Sequence, residues 1–253
     1  MGERGDSITR TSGVNLWRAG CGESRTSGSE GGPGRPTEGD LGTAPRSDPY
    51  TKLRGPDRGV WFDCYVIIDI FSRYVVGWMV ATTETAELAE ELINAAVVAQ
   101  GVEKGTLTIH ADRGTSMASK GVAELLSDLG VGRTHSRPHV SNDNPYSEAV
   151  NKTLKYCPAF PERFGSIEDA RAFCQVFFDY YNHEHRHSGI GLHTAASVHY
   201  GTAATIRSQR AKTLDAAYAA NPTSFRGRRP EPPKLPTVAW INDPNEEVTQ
   251  KTS

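Results

Sequence analysis

Two acidic residues of this chain stand where a site for hard divalent cations is commonly assembled, at the ends of secondary-structure elements. Asp112 stands at the centre of the string His110-Ala-Asp-Arg-Gly114, which reads as a strand running into a turn. Glu148 follows with 35 residues between the two, close behind Pro145. Each has an ordinary explanation, since Asp-x-Gly forms turns and an acid near a helix start is favoured by the backbone dipole. Together they supply carboxylate oxygens of the kind that bind magnesium or manganese beside a phosphodiester. Two such ions, about 3.5–4 Å apart, activate an attacking oxygen and stabilise the leaving one. Asn151, Lys152 and Lys155 follow Glu148 at helical spacing, a polar row suited to holding a phosphate backbone or, with no ligand, an exposed helix face.

These acids need a scaffold, and the apolar pattern supplies one. Phe62 to Ile70 and Tyr74 to Val80 are rich in Val, Ile, Tyr and Trp, and the Phe71-Ser72-Arg73 link predicts an antiparallel hairpin of central strands. Thr85 to Gln100 places Leu88, Leu92, Ala96 and Ala99 on one helical face, with Gly101 as the stop. Thr106 to Ala111 alternates, so a short strand ends at Asp112. Val122, Leu125, Leu126 and Leu129 predict a second helix before Gly130, and a further strand is expected around Arg133 to Ser136. After the polar loop Arg137 to Asn144, Asn144 as N-cap and Pro145 at the first helical position predict a third helix to about Tyr156. Ser166 with Asp169 opens a fourth, whose buried stripe is Ala170, Phe173, Cys174, Phe177 and Tyr181. Antiparallel strands followed by alternating strands and helices indicate an α/β chain with a mixed sheet covered by helices.

Residues 1–49 hold eleven of the 25 glycines and no apolar period, too little to offset ordering entropy, so this leader is expected to be disordered. No apolar stretch approaches the ~20 residues of a membrane span, and a cytoplasmic protein away from membranes is expected. Cys21, Cys64, Cys157 and Cys174 form no C-x-x-C pair, which speaks against a disulfide framework or zinc knuckle. The net charge of -2 does not favour nucleic acid when taken whole. Charge is uneven, however: residues 203–230 carry Arg207, Arg210, Lys212, Arg226, Arg228 and Arg229 against Asp215 alone. His183, His185, His187 and His193 alternate in a manner that suits neither H-x-x-x-H nor a Cys-paired zinc site, and are expected to end the fourth helix or to approach DNA.

Four ordered strings make the sequence recognisable: Val66 to Trp78 (VIIDIFSRYVVGW), His110 to Gly114 (HADRG), Asp143 to Glu148 (DNPYSE) with Lys152 to Lys155 (KTLK), and Tyr181 to His187 (YNHEHRH). Over roughly Thr51 to Ile241 the chain resembles the insertion-sequence transposases with a retroviral-integrase core, of the large IS-three group. The resemblance implies a ribonuclease-H-like mixed sheet flanked by helices and an Asp, Asp, Glu triad binding Mg2+ or Mn2+. It also implies DNA partners (element ends and target), assembly as a homo-oligomer, and a separate helix-turn-helix protein from the same element. Carried across, the second Asp is Asp112 and the Glu is Glu148, spaced as the family pattern expects. The first Asp belongs to a strand reading Asp-Ile-Thr, whose Thr aligns with Thr51, so its place falls on Pro49. Asp48, one residue early, is the remaining candidate for that ligand, and it would serve only through a bulge or a rearranged strand start, because a one-residue slip turns a side chain to the opposite face. Asp69 aligns with a hairpin Asp and is read as structural, near the Ser72-Arg73 turn.

The domain reading is a non-family leader over 1–49, an integrase catalytic core over 50–202, and a basic, Pro-rich extension over 203–253. The leader is read as entry into the family frame after a frameshift or internal start. The functional expectation is metal-dependent DNA cleavage and strand transfer by Asp112, Glu148 and Asp48, with Asn151, Lys152 and Lys155 on the DNA. The alternatives are an inactive remnant that keeps the fold and DNA binding, and a basic adaptor binding nucleic acid through 203–230.

Overall fold

The computed structural model describes residues 52–111, 117, 119–135 and 145–241, together with the backbone of Ser12–Trp17. At its centre is β3 (Trp61–Asp69), in which every residue but Trp61 is buried. A strand buried on both faces reads as a continuous apolar run, and its period-two alternation divides the core in two. Tyr65 and Ile67 join a cluster with Ala89, Leu92, Ile93, Ala96 and Val97 of α1 (Ala86–Ala99) and with Val122 and Leu126 of α2 (Lys120–Asp128). Cys64, Val66 and Ile68 join the other, with Val150 and Leu154 of α3 (Pro145–Lys155) and Cys174, Phe177 and Phe178 of α4 (Ile167–His183).

β4 (Val75–Ala81) pairs antiparallel along one edge of β3. The opposite edge is shared by β1 (Ser12–Trp17) and β2 (Lys52–Arg54). β2 sets Arg54 opposite Trp61 and Lys52 opposite Asp63. β1 continues the same line in the same direction, with Trp17 opposite Val66 and Val14 opposite Asp69. Cys64 and Tyr65 alone separate the two pairings on β3, so β1 and β2 are two pieces of one strand line, and residues 18–51 stand between them in the sequence. Along its other edge β1 runs parallel to β5 (Leu107–Ala111), and β6 (Gly132–His135) runs parallel to β5. The spatial order is therefore β4, β3, the β1/β2 line, β5, β6, a mixed sheet between two helical layers of the ribonuclease-H-like kind.

Several elements differ from expectation for physical reasons. Within the leader, expected to be without structure, Ser12–Trp17 forms a strand; a slot between β3 and β5 offers hydrogen-bond partners on both edges to a run too short to show a period. The rest of residues 1–49 lies outside the described residues, as does the expected N-cap Asn144. The inward face of α1 is Ala89, Leu92, Ile93, Ala96 and Val97 rather than the line from Leu88 to Ala99, and Ala99 is exposed. A single i, i+4 row drifts around a helix, whereas a packed face is a wider stripe that takes in the bulkier Ile93 and Val97.

Beyond α4 come elements that the sequence pattern does not announce: a ribbon of β7 (Arg186–His187) and β8 (His193–Thr194), then α5 (Ala195–His199) and α6 (Ala203–Ala220). Two-residue strands are too short for any period. α6 buries only Ala203, so it carries no apolar stripe, and its alanines favour helix instead. The Pro-rich extension then runs back over the core. Arg207 donates to the carbonyls of Pro232 and Pro233, Leu235 packs against Ile190, Val198 and Ala203, and the Tyr146 hydroxyl donates to the carbonyl of Trp240 at 2.8 Å. Among the described residues no helix is long and apolar enough to cross a membrane.

Candidate active site

Glu148 lies exposed in the first turn of α3, a helix whose Val150 and Leu154 anchor it in the core and which packs against β1 and β3. The polar row expected beside it divides. Lys152 is exposed and Lys155 half-buried, while Asn151, at 5 % exposure, belongs to the inward row with Ser147, Val150 and Leu154. From Glu148 the i+3 position turns back toward the core and the i+4 position away from it.

The start of α3 is held from two sides. Arg73, at the hairpin tip with φ of 67°, lays its guanidinium 3.9 Å over the Tyr146 ring, and the Tyr146 hydroxyl meets the extension at Trp240. Such a cation–π contact contributes about 0.5–2 kcal/mol, and it ties the hairpin to the helix that bears Glu148. No local sequence signal links positions 73 and 146, so this positioning pair was not legible.

Asp69 has the structural role expected of it, with partners the sequence did not reveal. Its Oδ1 accepts the Phe71 amide at 3.0 Å, and its Oδ2 accepts the Ser72 hydroxyl at 2.6 Å and faces His199 Nδ1 at 3.0 Å. The other His199 nitrogen meets Gln100 Oε1 at 2.9 Å, and Tyr74 stacks on the imidazole with centroids 4.5 Å apart. Burial alone would raise the Asp69 carboxyl, but hydrogen bonds from His199, Ser72 and Phe71 outweigh it and hold the group below its ordinary value. The network pins α5 and the end of α1 to the hairpin turn.

Asp112 is the residue after Ala111, with which β5 ends. Asp112 and Asp48 themselves lie outside the described residues, so of the three candidate ligands only Glu148 is placed. Among the described residues no three His, Cys, Asp or Glu side chains gather to hold a metal ion. The sheet nevertheless marks the slot of a first-strand ligand. Counted back from β2 along β3, an uninterrupted strand would bring position 49 opposite Val66, and the residue opposite Val66 is Trp17. The parallel register of Asn15 with His110 puts Trp17 one step beyond the level of Ala111. The strand position beside the end of β5 is thus taken by residue 17 of the chain rather than by residue 48 or 49.

The histidines do not form a single site. His185 and His187 pack edge to face, 4.5 Å apart, and each meets the Tyr181 ring. Burial, helped by the neighbouring charges of His185 and Arg73, lowers His187 to about 4. His193 is buried separately on β8.

Residues 47–141 match the integrase core domain, and residues 129–194 match a second integrase core domain model. The transposase for insertion sequence element IS904 of Lactococcus lactis subsp. lactis is 29% identical over 126 residues, 49% of this chain and 49% of that protein. Transposase InsF for insertion sequence IS3A of Escherichia coli is 30% identical over 135 residues, 52% of this chain and 46% of that protein. Among solved structures, a simian T-cell lymphotropic virus intasome aligns at 20% identity and a TM-score of 0.47, covering 59% of this chain and 51% of that one. The chain therefore carries an integrase core domain and is similar, over about half its length, to insertion-sequence transposases. It spans about half the length of the curated relatives it matches.

Proposed function

We propose that this chain is the catalytic portion of a DNA transposase, which cleaves phosphodiesters at element ends and joins them to a target with the help of Mg2+ or Mn2+. The observation that carries the reading is the convergence of elements: α3, bearing the accessible Glu148, packs on β1, and β1 lies beside β5, whose end at Ala111 leads into Asp112. Asp112 and Glu148 would hold the metal through oxygen donors, and Lys152 and Lys155 would steady the phosphate backbone. The chemistry such an ion supplies when bound is a more acidic water and compensation of the charge on the leaving oxygen. Asn151, being inward, supports the helix rather than the DNA. Assembly as a homo-oligomer on DNA and cooperation with a separate helix-turn-helix protein complete the proposal.

Oligonucleotides carrying the element's ends, incubated with the protein and Mg2+, test this. Cleaved and joined products should form with the wild type and vanish with Asp112→Ala or Glu148→Ala; products unaffected by either change would reject the assignment.

One observation favours a second reading, a catalytically silent remnant that keeps the fold and DNA binding: Trp17 occupies the slot of the first carboxylate. Under that reading the wild type binds duplex DNA and yields no metal-dependent product. Where the wild type does yield product, Asp48→Ala tests the remaining acid near that slot in sequence: lost product makes it the third ligand, and unchanged product excludes it.

A further inference from the structure

α6 delivers a concentration of positive charge to the β7–β8 ribbon. Arg210 reaches the ribbon turn with two nitrogens, Nη1 donating to the Gly191 carbonyl at 3.2 Å and Nη2 to the Leu192 carbonyl at 2.9 Å. One turn earlier Arg207 donates from Nε to Pro233 at 3.2 Å and from Nη2 to Pro232 at 3.3 Å. Arg186 stands exposed on β7, opposite Thr194 and next to the His187–His193 pair.

Every acceptor named here is an uncharged carbonyl. Among the described residues no carboxylate lies within ion-pair distance of Arg186, Arg207 or Arg210, whereas Arg229 is matched by Asp215 at 2.8 Å. The accumulated charge is felt locally. Partial burial and the Arg186 charge lower Arg210, and burial followed by the charges of Arg210, Arg186 and Arg207 lowers His193. His193 is fully buried, and neither ring nitrogen has a hydrogen-bond partner.

Like charges fixed by bonds to backbone carbonyls repel one another, and a bound anion offsets that repulsion. Guanidinium N–H groups left over from the carbonyl contacts present the fork geometry that phosphate oxygens accept. We propose that Arg186, Arg207 and Arg210 form a backbone contact for DNA, gripping phosphodiester oxygens on elements other than the helix that bears Glu148. This contact rests on the reading of the chain as one that acts on DNA.

Fluorescence anisotropy of a labelled random-sequence duplex, titrated in EDTA over a range of salt, tests it apart from catalysis. Arg186→Ala releases no carbonyl and should weaken binding and flatten the log–log salt slope by about 0.9, the share of one phosphate on duplex DNA. Arg186→Lys should keep the wild-type slope. A wild-type slope in Arg186→Ala overturns the contact, and does so without touching the transposase reading if metal-dependent products persist. A wild type with no affinity for duplex at low salt overturns both.

Discussion

Asp69 accepts hydrogen bonds on both carboxylate oxygens, and its partners set both the size and the pH dependence of its contribution. Replacing it with Asn leaves the Ser72 hydroxyl and His199 imidazole without their charged acceptor, at a cost of about 1–3 kcal/mol, to be read from urea denaturation at neutral pH. The folded carboxyl titrates below its ordinary value, so its stabilisation is complete above about pH 4, the unfolded value, and fades as pH falls through the lower folded one. The difference between wild type and Asp69→Asn should therefore shrink in acid; a difference independent of pH would show that the hydrogen bonds do not depend on charge. That Asp69 is structural was legible from Asp-x-x-Ser-Arg turn chemistry. Its partner His199 was not, because a contact 130 residues away leaves no trace in local pattern. The same holds for Arg73 on Tyr146 and for the slot held by Trp17, since register between distant strands is decided by pairing and not by composition.

α3 and the returning extension show how elements place the site. Helix α3 is fixed by its apolar row, and Leu154→Ala, fully buried in the second core cluster, should cost about 2–5 kcal/mol in thermal or urea unfolding. The extension depends on a close approach at Gly191, whose φ is 67° and where an added Cβ would lie 2.8 Å from the Lys234 carbonyl oxygen. Both features resist any side chain, so Gly191→Ala should lift the extension, at a cost of about 1 kcal/mol or more. Faster tryptic cleavage after Lys234 is the expected readout, and an unchanged digestion pattern would place the extension elsewhere. The hairpin, α1, β5, α2 and α4 were legible because each repeats an apolar period over enough residues to be counted. α6 escaped because its Arg and Ala face carbonyls and solvent rather than a core.

The molecule as a whole depends on a first strand in two pieces. β1 joins the β3–β4 hairpin to the β5–β6 pair, so the sheet is continuous only through it. Asn15 pairs with Ile68 on one side and His110 on the other, and Asn15→Pro removes a ladder donor at that junction. Loss of about 1–3 kcal/mol and faster amide exchange at Ile67 and Ile68 should follow; wild-type exchange would mean that β1 does not hold the sheet together. The overall class of fold was legible from the order of strands and helices, whereas the occupant of the central slot was not, since Ser12–Trp17 lacks any pattern that separates it from the residues around it. The claim on which function turns is that Asp112 and Glu148 share one cation. Titration of Mn2+ by electron paramagnetic resonance, with wild type, Asp112→Asn, Glu148→Gln and the double variant, measures it without DNA. Each single change should abolish tight binding and the double change should add nothing further, whereas wild-type Mn2+ affinity in either single variant would contradict a shared site.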